Sequence, residues 1–299
     1  MVEESAGLQD APRIWRKSIS ETQDGLQSEW LVIGVIAGLS MTLGLRIFDV
    51  VGMQGPPPWF LWSSGFSVGF ALLVWAMRAG TAGAAALGGV LCLSLLIRLQ
   101  IGEPWTMTAL PELITLFVLT FLATRFGRKR KEAMGTAEEK RGRRAAQVAA
   151  NLGVAGIWAA YRGHPYLVTS LAALAEATAD TVSSELGQVL GGRTFLITTG
   201  ERVEAGTDGG MSVQGTLLGA VAAGVIALVA IALGAVDVSS GLIVFLAGSA
   251  GLLFDSLLGA TLERRGWLGN DLVNFASTAL AAWLAFEAAK VLAPPVPAW

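Results

Sequence analysis

The amino-acid sequence predicts an all-α protein, a polytopic membrane helix bundle of about nine transmembrane helices with a small cytoplasmic loop region. Three observations predict it. Of 299 residues, 53% are hydrophobic and only 15% charged, whereas a soluble domain carries roughly 25% charged residues. Long apolar runs recur along the chain, many close to the roughly 20 residues a helix needs to cross hydrocarbon. No strand-like alternation repeats, so a transmembrane barrel is not supported.

Composition also excludes classes. The single Cys92 rules out an intramolecular disulfide and a Cys-rich zinc site. The single His164 rules out a multi-histidine site. A net charge of −2 gives no basic excess, so no nucleic-acid partner is expected.

Residues 1–29 are polar and read as a cytoplasmic tail or an interfacial helix. Leu8, Ala11, Ile14, Trp15 and Ile19 fall at helical spacing, with Trp15 and Trp30 as anchors. No basic start followed by an apolar run and cleavage site is seen, so no signal peptide is expected. Residues 30–299 read as a single integral membrane domain. Its apolar runs cover 30–49, 59–78, 82–101, 108–124, 145–160, 165–182, 214–235, 239–258 and 272–293. Glycine and alanine are frequent inside them, and small residues allow helices to approach closely in lipid. Gly248, Gly251, Asp255 and Gly259 share one helix face, which directs Asp255 toward protein.

The basic residues set the orientation. With the amino terminus in the cytoplasm, all but Arg46, Arg98, Arg162 and Lys290 of the 21 lysines and arginines fall on the cytoplasmic side. The long polar connections 125–145, 183–213 and 259–271 then share that face, and an active site is expected there.

The first connection is strongly basic. It reads equally as an orientation signal that contacts anionic headgroups or as a phosphate site drawing on Arg128, Lys129, Lys131, Lys140, Arg143 and Arg144. Asn151 follows, as a helix–helix hydrogen bond or a ligand contact. The second connection begins inside a helix at "TADTVSSELG". Glu176, Asp180, Ser183, Ser184 and Gly187 form a polar stripe, with Thr181 and Glu185 beside it. Ionisable residues in a membrane segment are expensive and usually functional, and magnesium prefers carboxylate oxygens and phosphates.

"TFLITT" is the only strand-like run and suits a small hairpin with residues near Val203. "GTDGGMSVQG" then opens a helix, with Ser212 as its cap. Its glycines allow backbone N–H groups to converge on an anion; as a bare glycine turn it needs no ligand. It is neither a Walker A loop nor part of a dinucleotide fold. In the third connection, Asp255 and Glu263 bracket a helix end, and Asn270, Asn274 and Ser277 form a stripe on the last helix.

"ADTVSSELG", the "TTG…V…GTDGGMSVQG" stretch, "FDSLLGATLE" and the Asn270–Asp271…Asn274 pattern resemble the family called domain of unknown function 92, or transmembrane protein 19, which includes phytyl-phosphate kinases of tocopherol synthesis. The likeness runs from about residue 60 to 290 and takes in "ATRFG" and "RRAAQVAANLG". The chain departs from the family's usual aromatic at Val182, glutamine at Glu263 and glycine at Leu152.

The resemblance implies a membrane-embedded kinase. It would transfer a phosphoryl group from a nucleoside triphosphate, CTP being favoured, to a phytyl or other isoprenoid monophosphate, giving the diphosphate. Asp180, Glu185 and Asp255 would be catalytic and hold magnesium. Gly206, Thr207, Gly209, Gly210 and Ser212 would hold nucleotide phosphates, helped by Lys129, Lys131 and Arg144. Asn151, Ser184, Asn270 and Asn274 would orient substrate. The alternative is a secondary transporter or lipid flippase, whose acids sit nearer the bilayer midplane, often in paired repeats; no repeat is seen. A non-catalytic scaffold would explain the glycines but not the co-located acids, asparagines and bases. A Ser-His-Asp hydrolase is disfavoured because His164 falls a membrane away from Ser184.

Overall fold

The computed structural model describes residues 19–52, 55–97, 104–136 and 142–292. Most of the expected interfacial segment, with Trp15, and also Arg98 and Lys140, lies outside the described residues.

Each of the nine apolar runs becomes a helix. These are α1 (Glu21–Val51), α2 (Pro58–Ala76), α3 (Ala82–Leu96), α4 (Leu110–Arg125), α6 (Ala145–Ala159), α7 (His164–Leu190), α8 (Val213–Ala232), α9 (Val238–Leu258) and α10 (Asn270–Leu292). A tenth, the short α5 (Arg128–Met134), lies in the first polar connection. Nine helices do not by themselves establish nine spans. By length and composition α1, α2, α8, α9 and α10 each qualify alone, and α4 does so only together with α5, from which it is bent by 62°. At 15 residues, α3 and α6 reach only about 22 Å against roughly 30 Å of hydrocarbon. Helix α7 has the length, but it carries Glu176, Asp180 and Glu185.

Helix α1 starts nine residues before the expected run. Ser20 caps it by accepting from Gln23 N at 3.2 Å, so residues 21–29 are its first turns.

Helix α7 is the axis of the bundle, packed by α4, α6, α8, α9 and α10. From Leu167 to Ala179 it is buried on every face, the polar Thr169, Ser170, Glu176 and Thr178 included. Small residues bring its neighbours in. A Cβ on Gly219 or Gly215 of α8 would come within 3.0 Å of the carbonyl oxygens of Ala179 and Ser183. On α9, Gly248 meets Ala175, and Gly251 meets Glu176 and Ser277. The outer helices α1 and α2 present Trp30, Phe48, Trp62 and Trp75 outward, as lipid-facing surfaces do.

The loop after α7 forms a small sheet of order β2-β1-β3, from β1 (Thr194–Leu196), β2 (Arg202–Val203) and β3 (Gly210–Met211). Thr194 pairs with Val203, the expected hairpin. The glycine segment adds β3, pairing Leu196 with Gly210.

Candidate functional site

A polar cavity of about 360 Å³ opens at the loop end of the bundle. Residues far apart in sequence meet there because the carboxyl-terminal half of α7 lies against α8, α9 and α10. Asp180, Ser184 and Glu185 reach it from α7, Asn151 from α6, Asp255 from α9, and Asn270 and Asn274 from α10. The glycine segment closes it, with Gly206, Thr207, Gly209, Gly210 and Ser212 in its wall.

The stripe of small residues on α9 directs Asp255 inward, as its spacing predicts. Asp255 Oδ2 accepts from Ser277 Oγ at 3.3 Å. With its amide turned to satisfy both sides, Asn274 Nδ2 donates to Asp255 Oδ2 at 3.3 Å and to the Asn270 carbonyl at 3.2 Å. Asp180, Glu176 and Glu263 are electrostatic neighbours of Asp255. Asp180 in turn neighbours Arg143, Ser184 and Glu185.

Ser212 caps α8 as expected, its hydroxyl accepting from Gly215 N at 3.1 Å. Gly209 has φ +71°, and a Cβ there would collide with the backbone of Ala260. Its lack of a side chain is therefore already required by packing against the end of α9, before any ligand is considered. That end is a π turn, Gly259–Glu263, which winds Glu263 into the cavity wall. Such turns recur at functional sites.

The basic residues divide. Lys129 and Arg144 are exposed and do not line the cavity. Arg144 faces Asp271 at 4.0 Å. Lys131 is 1% exposed. Its ammonium donates to the carbonyls of Ala123 and Thr124, each at 2.9 Å, and to Glu185 at 2.5 Å. All three of its donors are thus engaged within the protein.

Arg143 enters the cavity instead. Its guanidinium donates to Thr181 Oγ1 at 3.2 Å and neighbours Asp180. A backbone clip sets its position: Arg143 N donates to Ala79 O at 3.1 Å, and Thr81 N donates to Arg143 O at 3.0 Å. Gly142 (φ +75°) makes the clip possible, since a Cβ there would overlap the Arg78–Ala79 backbone. Arg143 was one of six basic candidates in its run, and nothing in the sequence separates it from Arg144. Asp208 and Glu263 also line the cavity.

Asp180, Glu185, Asp208, Asp255 and Glu263 therefore face Arg143 as the one basic residue lining the cavity among the described residues. Such a lining repels a polyphosphate unless cations accompany it. Among the described residues no three acidic, cysteine or histidine side chains close on one point as a metal cage. Two carboxylates in the wall of a polar cavity instead suit magnesium, which keeps its waters and takes one or two carboxylates plus substrate oxygens. Asn151 adds a buried Oδ1 with no partner, while its Nδ2 donates to Gln147 O at 2.8 Å. An orphaned buried acceptor in a cavity wall fits a site completed by ligand or ordered water.

A helical bundle with a charged cavity at one end is the class defined here, and the family comparison makes it an integral membrane protein. Residues 68–282 match the family described as integral membrane protein DUF92. The chain belongs to that family. It is 33% identical over 177 residues to protein VTE6, a chloroplastic protein of Arabidopsis thaliana, covering 55% of this chain and 53% of that one. It thus spans about half the length of that relative. An uncharacterized membrane protein of Synechocystis sp. is 36% identical, with 56% of this chain and 69% of that one covered. Another, from Methanocaldococcus jannaschii, is 38% identical, with 56% and 70% covered. No solved structure matches the chain.

Proposed function

We propose that the protein is a membrane-embedded kinase that transfers a phosphoryl group from a nucleoside triphosphate, CTP being favoured, to an isoprenoid monophosphate, giving the diphosphate. The isoprenoid acceptor and CTP rest on the family resemblance, while the observation that carries the phosphoryl-transfer part of this reading is the cavity itself. It combines paired carboxylates, one clipped arginine and a glycine-lined wall at a helix amino terminus. Phosphoryl transfer is mainly positioning and charge neutralisation, and these are the groups it requires.

In this reading Asp180 and Asp255 hold magnesium, which would supply positive charge to the phosphate oxygens. Asn274 and Ser277 fix the Asp255 carboxylate. Arg143 offers its planar fork to the phosphate of the acceptor, whose oxygen attacks the terminal phosphorus and displaces the nucleoside diphosphate. Asn151, Ser184 and Asn270 orient the substrate. Glu185 acts through Lys131, holding α5 against α7, and is not free to serve as a metal ligand on that oxygen.

The transporter alternative expects acids near the midplane; this cavity lies at the loop end. The test is to incubate purified protein with γ-labelled CTP or ATP, magnesium and a prenyl monophosphate. Label in a prenyl diphosphate is expected. Uptake of the unmodified prenyl phosphate into vesicles with no label transfer would favour a transporter.

A further inference from the structure

The larger cavity is apolar. About 550 Å³ lies between α2, α3, α4 and α6, walled by side chains such as Phe70, Leu113, Leu116 and Phe117. Its loop-end rim carries Arg78, Arg125, Arg128 and Arg143, and no acid lines it. Arg143 and Asn151 line the polar cavity as well. The two voids therefore meet at one guanidinium and one buried amide whose Oδ1 is unpartnered.

Charge is segregated between them. The acids lie in the polar void, and four arginines line the apolar one, with Arg128 paired to Glu132 at 3.0 Å. Its depth follows from α4: Leu113 is 12 residues from Arg125, about 18 Å along the helix axis. The rim is built rather than incidental. Arg125 donates to Met77 O at 3.3 Å and lies 4.0 Å above the Phe121 ring. Arg78 has φ +54°, a conformation residues other than glycine seldom adopt. It directly precedes the segment clipped to Arg143, so both guanidiniums are set by one feature.

We propose that the apolar cavity binds the hydrocarbon tail of a single-chain lipid monophosphate, with its phosphate at the Arg143–Asn151 junction. This rests on the kinase reading only in making that phosphate the acceptor; tail binding itself is measurable without turnover. One chain is assigned to the roughly 550 Å³ between four helices, so a headgroup carrying two acyl chains is the discriminating competitor. Gly88 lies part-way down, six residues and about 9 Å from the loop end of α3. It lines the cavity, and a Cβ there meets nothing within 4 Å, so a larger side chain grows into the void rather than into the fold.

The experiment measures thermal stabilisation of the purified full-length protein, without nucleotide, by prenyl monophosphates graded from geranyl to phytyl. Inorganic phosphate, phosphatidic acid and magnesium–CTP are the comparison ligands. Stabilisation is expected to rise with tail length, and inorganic phosphate to give little. Gly88→Leu should weaken phytyl monophosphate at least about tenfold, as expected when two or more methylenes are excluded. It should leave geranyl monophosphate and magnesium–CTP nearly unchanged, while Phe117→Ala should improve the longest tail relative to the shortest.

Unaltered phytyl binding in Gly88→Leu would overturn the proposal. So would equal weakening of every ligand, or stabilisation by phosphatidic acid as strong as by the single-chain phosphates. Tail-length selectivity without any phosphoryl transfer would retire the kinase reading and leave the tail site standing. Transfer whose tail preference ignores Gly88→Leu would do the reverse.

Discussion

The buried ammonium of Lys131 and the partly buried carboxylate of Glu185 form an ion pair that fastens α5 to the carboxyl-terminal part of α7. The chain turns back at Gly127, with φ +63°, and this brings Lys131 under the end of α4. There it takes the Ala123 and Thr124 carbonyls, capping orphan acceptors of that helix. Both residues read from sequence as ligands of substrate or metal. The structure makes them partners of each other.

Breaking this pair should act on folding first. Lys131→Met leaves Glu185 without its partner, and Glu185→Gln leaves a buried ammonium uncompensated. Each single change should cost about 3 kcal/mol or more, and a matched apolar pair should recover much of it. Thermal unfolding in detergent measures this. A stable Lys131→Met protein with weakened nucleotide affinity would instead return Lys131 to the phosphate site.

The ranking of basic residues gives a second expectation. Arg143→Ala removes a charge-assisted contact worth roughly 1.5–3 kcal/mol, or about 10- to 150-fold in transfer rate. Lys129→Ala and Arg144→Ala, exposed and outside the cavity, should each change the rate by less than about threefold. Initial rates for the three variants decide it, and equal losses would dissolve the distinction.

The acids and asparagines of the site are legible because each is costly in a membrane segment, and the glycine segment because its composition is unusual for a polar connection. Asp180, Asp255 and Asn274 announce themselves where leucine would be cheaper, and the face shared by Gly248, Gly251 and Asp255 was readable from helical spacing. The choice among the bases was not legible. Lys131, Arg143 and Arg144 are chemically alike and close in sequence, and their fates depend on tertiary features: the bend at Gly127 and the backbone clip at Gly142. Glu263 enters through a π turn that no sequence pattern marks. Strand β3 is two residues long, too short to carry an alternation. Gly209 suits a ligand by its sequence context, but the backbone of Ala260 already requires it.

At the far end of α7, Asp237 caps α9, its Oδ1 accepting from Ser240 N at 2.8 Å. Ser240, through side chain and backbone, and the Ser239 hydroxyl hold its carboxyl down at about 2, from an ordinary 3.8. A depressed acid contributes stability above its unfolded pKa and loses it as pH falls through the folded one. The advantage of the wild type over Asp237→Asn, which keeps a capping oxygen but does not titrate, should be constant at neutral pH and shrink between about 4 and 2. Unfolding midpoints across that range test it. His164 Nε2 lies 2.9 Å from Ser240 Oγ, yet Asp237 is engaged with the helix terminus, so this cluster is a cap.

The orientation can be read by labelling. Cys92, the one native cysteine, is buried, which gives a low background. Single cysteines at 208 and 266 should react only from the cytoplasmic side, and one at 163, at the opposite end of α7, only from the other. Labelling of position 208 from outside would invert the topology.

The central claim is that the acid-lined cavity performs magnesium-dependent phosphoryl transfer to a prenyl monophosphate. The most direct measurement is the rate of label transfer from γ-labelled CTP as magnesium is titrated, for the wild type, Asp180→Asn and Asp255→Asn. Each variant is first shown to be folded by its unfolding midpoint. The account predicts a magnesium-dependent rate in the wild type and a loss of at least about 100-fold in each variant, since removing a group that stabilises transition-state charge costs roughly 3 kcal/mol. A wild-type rate unaffected by magnesium, or normal turnover in both variants, would contradict it.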